Sequence, residues 1–266
     1  MIVSATDLSS YLFCPRKLYM RKVLGIVEPP NQAMVLGTIR HAIHEKLSKA
    51  DESIIRQLNK DHSESEAATL FKNDYLKALR GTITHHKSHL KEVDLVPGEV
   101  FVDVWPFIYD EALSRASEIY SFAKSAGVYG EELWSMLPKT ISEYHVQSEA
   151  LQLKGIIDKI EVRDGKYIPF ELKTGSAPRE GVWPGHKIQV ACYAMLLQEA
   201  FKTPVNEGFV VYLNLREKRR VAMNPFLEEE VKLLISKVQA LLESKELPEP
   251  CGKKICGCNN FVVTTK

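Results

Sequence analysis

Apolar positions along this chain recur with two different periods, and the change falls near Tyr144. The opening segment predicts a short helix capped by Thr6, with Leu8, Tyr11 and Leu12 on one face, stopped at Cys14-Pro15. After the Pro29-Pro30 break, Leu36, Ile39, Ile43 and Leu47 return at helical spacing between about Gln32 and Lys49. Residues 51 to 144 continue mostly helical, through Ile54, Ile55 and Leu58, then Leu70, Tyr75 and Leu76, then Phe107 to Phe122; only Val100 to Val104 alternates like a strand. Beyond Tyr144 the pattern becomes strand-like over 146–153, 155–162, 166–174 and 209–215, with helices over about 185–202 and 226–244. The expected organisation is therefore α/β: N-terminal helices over 1–50, a helical insertion or lid over 51–144, a core over 145–246 and a Cys-rich tail over 247–266.

The most informative stretch is GIIDKIEVRDGKYIPFELKTG, residues 155 to 175. Asp164-Gly165 between two β-like runs predicts a two-residue hairpin, because a type I′ turn needs positive φ at both central positions. Arg163 then faces Lys166, and counting back along the ladder puts Asp158 opposite Glu171. Glu171 and Lys173 share one sheet face. Two carboxylates held together call for a counter-charge, and Mg²⁺ or Mn²⁺ takes hard oxygen ligands of this kind. An exposed sheet face with an ordinary Glu/Lys pair is the plainer alternative.

Two helical pairs add to this. His41 lies roughly 155° round the helix from its apolar stripe, so it is either a candidate third ligand or a solvated residue of a polar run. Gln189 and Tyr193 are spaced to share a helix face.

Composition changes the picture in two places. Lys plus Arg number 35 against 34 Asp plus Glu, so any nucleic-acid partner would have to be met by local patches. Candidates are Arg16, Lys17, Arg21 and Lys22; Arg216, Lys218, Arg219 and Arg220; and Lys253 with Lys254, while Tyr19, Trp183 and Tyr193 could stack bases. Five cysteines are too few and odd in number for a disulfide framework, yet Cys251, Cys256 and Cys258 fall within eight residues. Cys192, among Ile188, Ala191, Met195 and Leu196, reads as a buried apolar thiol. No apolar run reaches membrane-spanning length and no signal-like opening is visible, so the expected compartment is cytoplasmic.

Asp158, then Glu171-Leu172-Lys173, resembles the PD-(D/E)xK nuclease signature, and GIID with ELKTG resembles its RecB-type branch. That branch also carries Gly-x-x-x-His and Gln-x-x-x-Tyr motifs, which occur here in order as Gly37 to His41 and Gln189 to Tyr193. Cys14-Pro15-Arg16, with the three late cysteines, is similar to the CRISPR-associated RecB-like exonuclease family, whose iron–sulfur cluster staples the ends of the nuclease domain. The resemblance covers about residues 1–50 and 145–260.

It implies a RecB-like core, a mixed central sheet flanked by helices, with a helical insertion. It implies Mg²⁺ or Mn²⁺ on His41, Asp158, Glu171 and the Leu172 carbonyl, with Lys173, Gln189 and Tyr193 as catalytic residues. Cys14, Cys251, Cys256 and Cys258 become ligands of an iron–sulfur cluster, [4Fe–4S] before [2Fe–2S], although four thiolates also suit zinc. Arg16, Lys17, Arg21, Arg219 and Arg220 become contacts to DNA. The implied activity is a metal-dependent DNA exonuclease on single strands or overhangs, trimming spacer precursors beside the CRISPR integrase. The alternatives are a general RecB-type repair or recombination nuclease, and a cluster-stapled nucleic-acid-binding subunit with a vestigial site. The family's late cysteines sit as a close pair and then a wider gap, whereas this chain has Cys-x4-Cys-x-Cys.

Overall fold

The structure is a computed structural model describing residues 1–26, 28–253 and 256–258. Lys254 of the last basic pair and residues 259–266 of the Cys-rich tail lie outside the described residues. The chain divides into two compact units: Met1–Pro29, Glu143–Glu161 and Gly165–Lys266 in one; Pro30–Ser142 and Val162–Asp164 in the other. No helix among the described residues is long and apolar enough to cross a membrane.

In the first unit, β1 (Val3–Ser4) runs directly into α1 (Ala5–Phe13), and Pro15 opens α2 (Pro15–Lys22). The cap of α1 is Ser4 rather than Thr6: its hydroxyl accepts from the Asp7 amide at 3.0 Å, and Asp7 accepts from the Ser4 amide at 3.1 Å. The helix starts earlier because β1 pairs with a later strand at Val3 and Ser4, which leaves Ser4 extended and ready to cap.

The second unit holds α3 (Gln32–Gln57), α4 (Glu64–His85), α5 (Lys87–Glu92), α6 (Pro97–Ala126) and α7 (Gly130–Met136). It begins at Pro30, so the helix carrying His41 belongs to it whole. Val100 to Val104 is not a strand: Val100, Val104, Ile108, Ala112 and Ala116 make an unbroken i, i+4 stripe on α6. That stripe packs with Ile39, Ile43, Phe71, Leu79 and Leu133 in one apolar core. Inside this unit, half-buried Asp51 accepts from the Tyr75 hydroxyl at 2.7 Å and from Arg115 Nε at 2.9 Å.

Six strands form one sheet: β1, then β2 (Lys139–Ser148), β3 (Leu153–Arg163), β4 (Lys166–Lys173), β5 (Glu207–Tyr212) and β6 (Glu217–Ala222). The order is β1-β3-β4-β5-β6, with β2 also pairing β3. The β3–β4 turn has φ of 50° at Asp164 and 73° at Gly165, as the type I′ expectation requires. β4 and β5 are parallel, linked by α8 (Pro184–Phe201), and α9 (Pro225–Glu243) packs on α8 and α1. Residues 188–197 of α8 are buried without interruption, which explains why that helix shows no polar face. β6 shows no apolar alternation because its one buried residue is Val221. Its charged sequence, EKRRVA, suits the exposed edge it occupies, and its register comes from pairing with β5.

Candidate active site and cysteine centre

Both centres lie in the sheet-containing unit. The hairpin delivers Asp158 from β3 against the end of β4, where its Oδ2 accepts from the Leu172 amide at 2.7 Å. Glu171 is 3% exposed, and its Oε1 meets Lys173 Nζ at 2.6 Å. Its other oxygen, Oε2, is buried with no hydrogen-bond partner. Burial, then the neighbouring Asp158 charge, lifts the Glu171 carboxyl to about 7, with Lys173 and Tyr193 pulling the other way. Burial and then the Glu171 charge push the Tyr193 hydroxyl well up in turn.

α8 supplies the back wall. Gln189 and Tyr193 are both buried on it, one turn apart. Tyr193 lies directly on Gly155, where a Cβ would sit 2.9 Å from its ring, so the first residue of GIID has to lack a side chain. His41 stands partly buried on α3 of the helical unit.

A further carboxylate that sequence reasoning did not find is Glu143 on β2. One of its oxygens comes within 4.8 Å of one from Asp158. Its backbone has φ of 50°, unusual for a non-glycine residue inside a strand. No motif marks it, and only the register of β2 on β3 could have revealed it.

The donor set fits a divalent cation: hard carboxylate oxygens on Asp158 and Glu171, a buried oxygen with no other partner, and a peptide carbonyl between Glu171 and Lys173. A bound Mg²⁺ or Mn²⁺ would satisfy the orphaned Oε2 and offset the burial and the Asp158 charge that raise the Glu171 pKa.

The second centre joins the two ends of the chain. The following proline holds Cys14 extended between α1 and α2, and its sulfur accepts from the Lys17 amide at 3.4 Å. Cys251, Cys256 and Cys258 meet it, with all four sulfurs within 4.8 Å of one another and Cys251 to Cys258 at 3.6 Å. Gly257 has φ of 63°, a left-handed turn that brings the sulfurs on either side of it into one cluster. This is how the Cys-x-Cys spacing reaches a common centre. The amide of Lys253 holds the Cys251 thiol down to about 7, while burial pushes Cys256 up to about 12. A single tetrahedral ion with bonds of about 2.3 Å holds thiolates roughly 3.8 Å apart. Cys251 and Cys258 stand near that spacing, and four thiolates equally suit an iron–sulfur cluster. Cys192 is separate, fully buried in α8 with burial raising its pKa further.

The residues expected to meet DNA already have partners within the chain. Arg16 donates to the Pro248 carbonyl at 2.7 Å and the Cys258 carbonyl at 3.3 Å, fastening the tail to α2. Lys17 pairs with Glu28 at 2.6 Å, and Arg21 and Lys22 with Asp7 at 3.3 and 3.0 Å. Arg219 binds Glu217 and two loop carbonyls, and Arg220 pairs with Glu207 on the neighbouring strand. Tyr19 is enclosed and donates to the Ser244 carbonyl at 3.0 Å; among the aromatic candidates, Trp183 is the exposed one.

The strand hairpin, its paired carboxylates and the adjoining lysine define the class. The model of the PD-(D/E)XK nuclease superfamily matches residues 2–251, and the chain belongs to that superfamily. A CRISPR-associated exonuclease Cas4/endonuclease Cas1 fusion from Leptospira interrogans is 32% identical over 125 residues, 45% of this chain and 23% of that protein. CRISPR-associated exonuclease Cas4 of Thermoproteus tenax is 28% identical over 104 residues, 39% of this chain and 54% of that protein. The protein of the same name from Rhodospirillum rubrum is 32% identical over 107 residues, 40% of this chain and 32% of its own length. In each case the match spans about half of the relative or less.

Proposed function

We propose that the chain is a metal-dependent deoxyribonuclease that trims single-stranded DNA or overhangs, and that it does so on spacer precursors in CRISPR adaptation. The observation that carries the reading is Glu171: a fully enclosed carboxylate beside Asp158 and Lys173, with one oxygen left without a partner. Asp158, Glu171 and the Leu172 carbonyl would hold Mg²⁺ or Mn²⁺, with Glu143 as an adjacent carboxylate. The cation supplies Lewis-acid stabilisation of the phosphodiester. Lys173 orients the attacking water and offsets charge growing on the scissile phosphate. Tyr193 acts on the carboxylate from the α8 side, and Gln189 lies buried one turn before it.

The four cysteines would hold an iron–sulfur cluster that staples the tail to the first two helices. Zinc is the second reading, because four clustered thiolates suit it as well. Fusions of Cas4 to Cas1 among the relatives support an integrase partner. The test is release of nucleotides from 5′- and 3′-labelled single-stranded DNA, with and without Mn²⁺, alongside elemental analysis of the same preparation. Metal-dependent release from an end supports the reading; its absence on every DNA form overturns it. Brown protein containing iron supports the cluster, and colourless protein with stoichiometric zinc replaces it.

A further inference from the structure

The segment after Lys173, residues 174–183, has no regular structure but is fastened along its length. Asn214 Nδ2 donates to the Thr174 carbonyl at 2.5 Å, and Trp183 Nε1 to the Ser176 carbonyl at 2.8 Å. Arg219 Nη1 reaches from β6 to both the Pro178 and Gly181 carbonyls, each at 2.7 Å. The rest of its guanidinium is committed too, with Nε and Nη2 on Glu217 Oε2 at 2.8 and 2.6 Å. The group also lies 5.2 Å from the centroid of the Tyr212 ring.

Tyr212 connects this clamp to the site. It is the ladder partner of Lys173, and its hydroxyl accepts from the Trp183 amide at 3.3 Å and meets His186 Nδ1 at 3.1 Å. The planar fork thus ties one edge strand, the loop and the end of β4 into a single unit, which a lysine's point charge could not do.

We infer that Arg219 is a positioning residue: its hold on Pro178 and Gly181 fixes the loop beside Lys173 and so sets how a substrate strand meets the catalytic lysine. This rests on the nuclease reading and replaces the expectation of a phosphate contact for this arginine. A phosphate contact and a loop clamp make opposite predictions. Losing a phosphate contact weakens DNA binding and flattens its salt dependence by about 0.7 in log–log slope for single strands. Losing a clamp leaves both alone and slows the chemical step, because misplaced catalytic groups cost rate rather than ground-state affinity.

The experiment compares the full chain with Arg219→Ala and Arg219→Lys. Expected for both is a fall of about tenfold or more in kcat, with KM, single-strand Kd and salt slope unchanged. Guanidinium ion added at low millimolar concentration should restore part of the Arg219→Ala rate, but not that of a Lys173→Ala control. Trypsin should cut after Arg179 faster in both variants than in the parent chain. Unchanged kcat, or weakened binding with a shallower salt slope, overturns the inference. If the parent chain cleaves no DNA, the nuclease reading has failed on its own; an Arg179 cutting rate that matches the parent's then overturns the clamp as well.

Discussion

The ring of Tyr193 rests on the backbone of Gly155, with Cε1 2.9 Å from where a Cβ would stand. That contact joins the first residue of one motif to the last residue of another and sets the distance between α8 and β3. Gly155→Ala should therefore destabilise the chain by about 1–3 kcal/mol through overpacking. The penalty should shrink in a Tyr193→Ala background, where the clash is gone. Urea unfolding of the two single variants and the double variant measures it; additive penalties would show that the ring does not rest on the glycine.

Glu171 carries a pH signature. Burial and the Asp158 charge raise its carboxyl to about 7 from the usual 4.5, so the folded, metal-free chain holds this proton more tightly than the unfolded chain does. For a raised pKa the stability contribution is full below about 4.5 and lost as pH rises through about 7. Metal-free protein should lose on the order of 2–3 kcal/mol across that window relative to Glu171→Gln, and Mn²⁺ should restore it at pH 8. Identical pH profiles for parent and variant in chelator would remove this account of the site.

Cys14→Ser should release the tail. Arg16 and Lys253 would still bridge it to the first helices, with Lys253 reaching the Phe13 carbonyl at 2.5 Å, but the sulfur centre would lose one of four donors. The expected result is loss of bound iron or zinc and rapid tryptic cutting after Lys253, while Cys192→Ser leaves metal content unchanged. Retained metal in Cys14→Ser would show that the centre does not need the amino-terminal cysteine.

In the helical unit, Arg115→Ala strips the half-buried Asp51 carboxylate of its cation. Removing one partner of a partly exposed, hydrogen-bonded charge pair costs about 1–3 kcal/mol, less than for a fully buried pair. Arg115→Ala combined with Asp51→Asn should recover part of that loss, because Tyr75 can still donate to the amide oxygen. Thermal unfolding of the three variants checks it, and equal losses in the single and double variants would contradict it.

The hairpin was legible because turn chemistry fixes register: once Asp164-Gly165 is the turn, Asp158 is committed to the neighbourhood of Glu171. Cys14 was legible by type and position, while its convergence with Cys251, Cys256 and Cys258 depends on a left-handed Gly257 that no spacing rule contains. The roles of charged side chains were least legible. Arg16, Arg21 and Arg219 read as a basic surface, yet each binds carbonyls or carboxylates whose positions exist only in the folded chain. β6 and Glu143 escaped for a related reason: an exposed edge strand and an acid at positive φ leave no periodic trace.

The central claim is that Lys173 acts beside a cation held by Asp158 and Glu171. The direct measurement is Mn²⁺-dependent cleavage of end-labelled single-stranded DNA by the parent chain and Lys173→Ala, with DNA affinity and thermal unfolding recorded for both. Cleavage by the variant should fall by roughly 10²–10³-fold, as for loss of a charge-stabilising group, with affinity and unfolding close to the parent's. Undiminished cleavage by Lys173→Ala would contradict it.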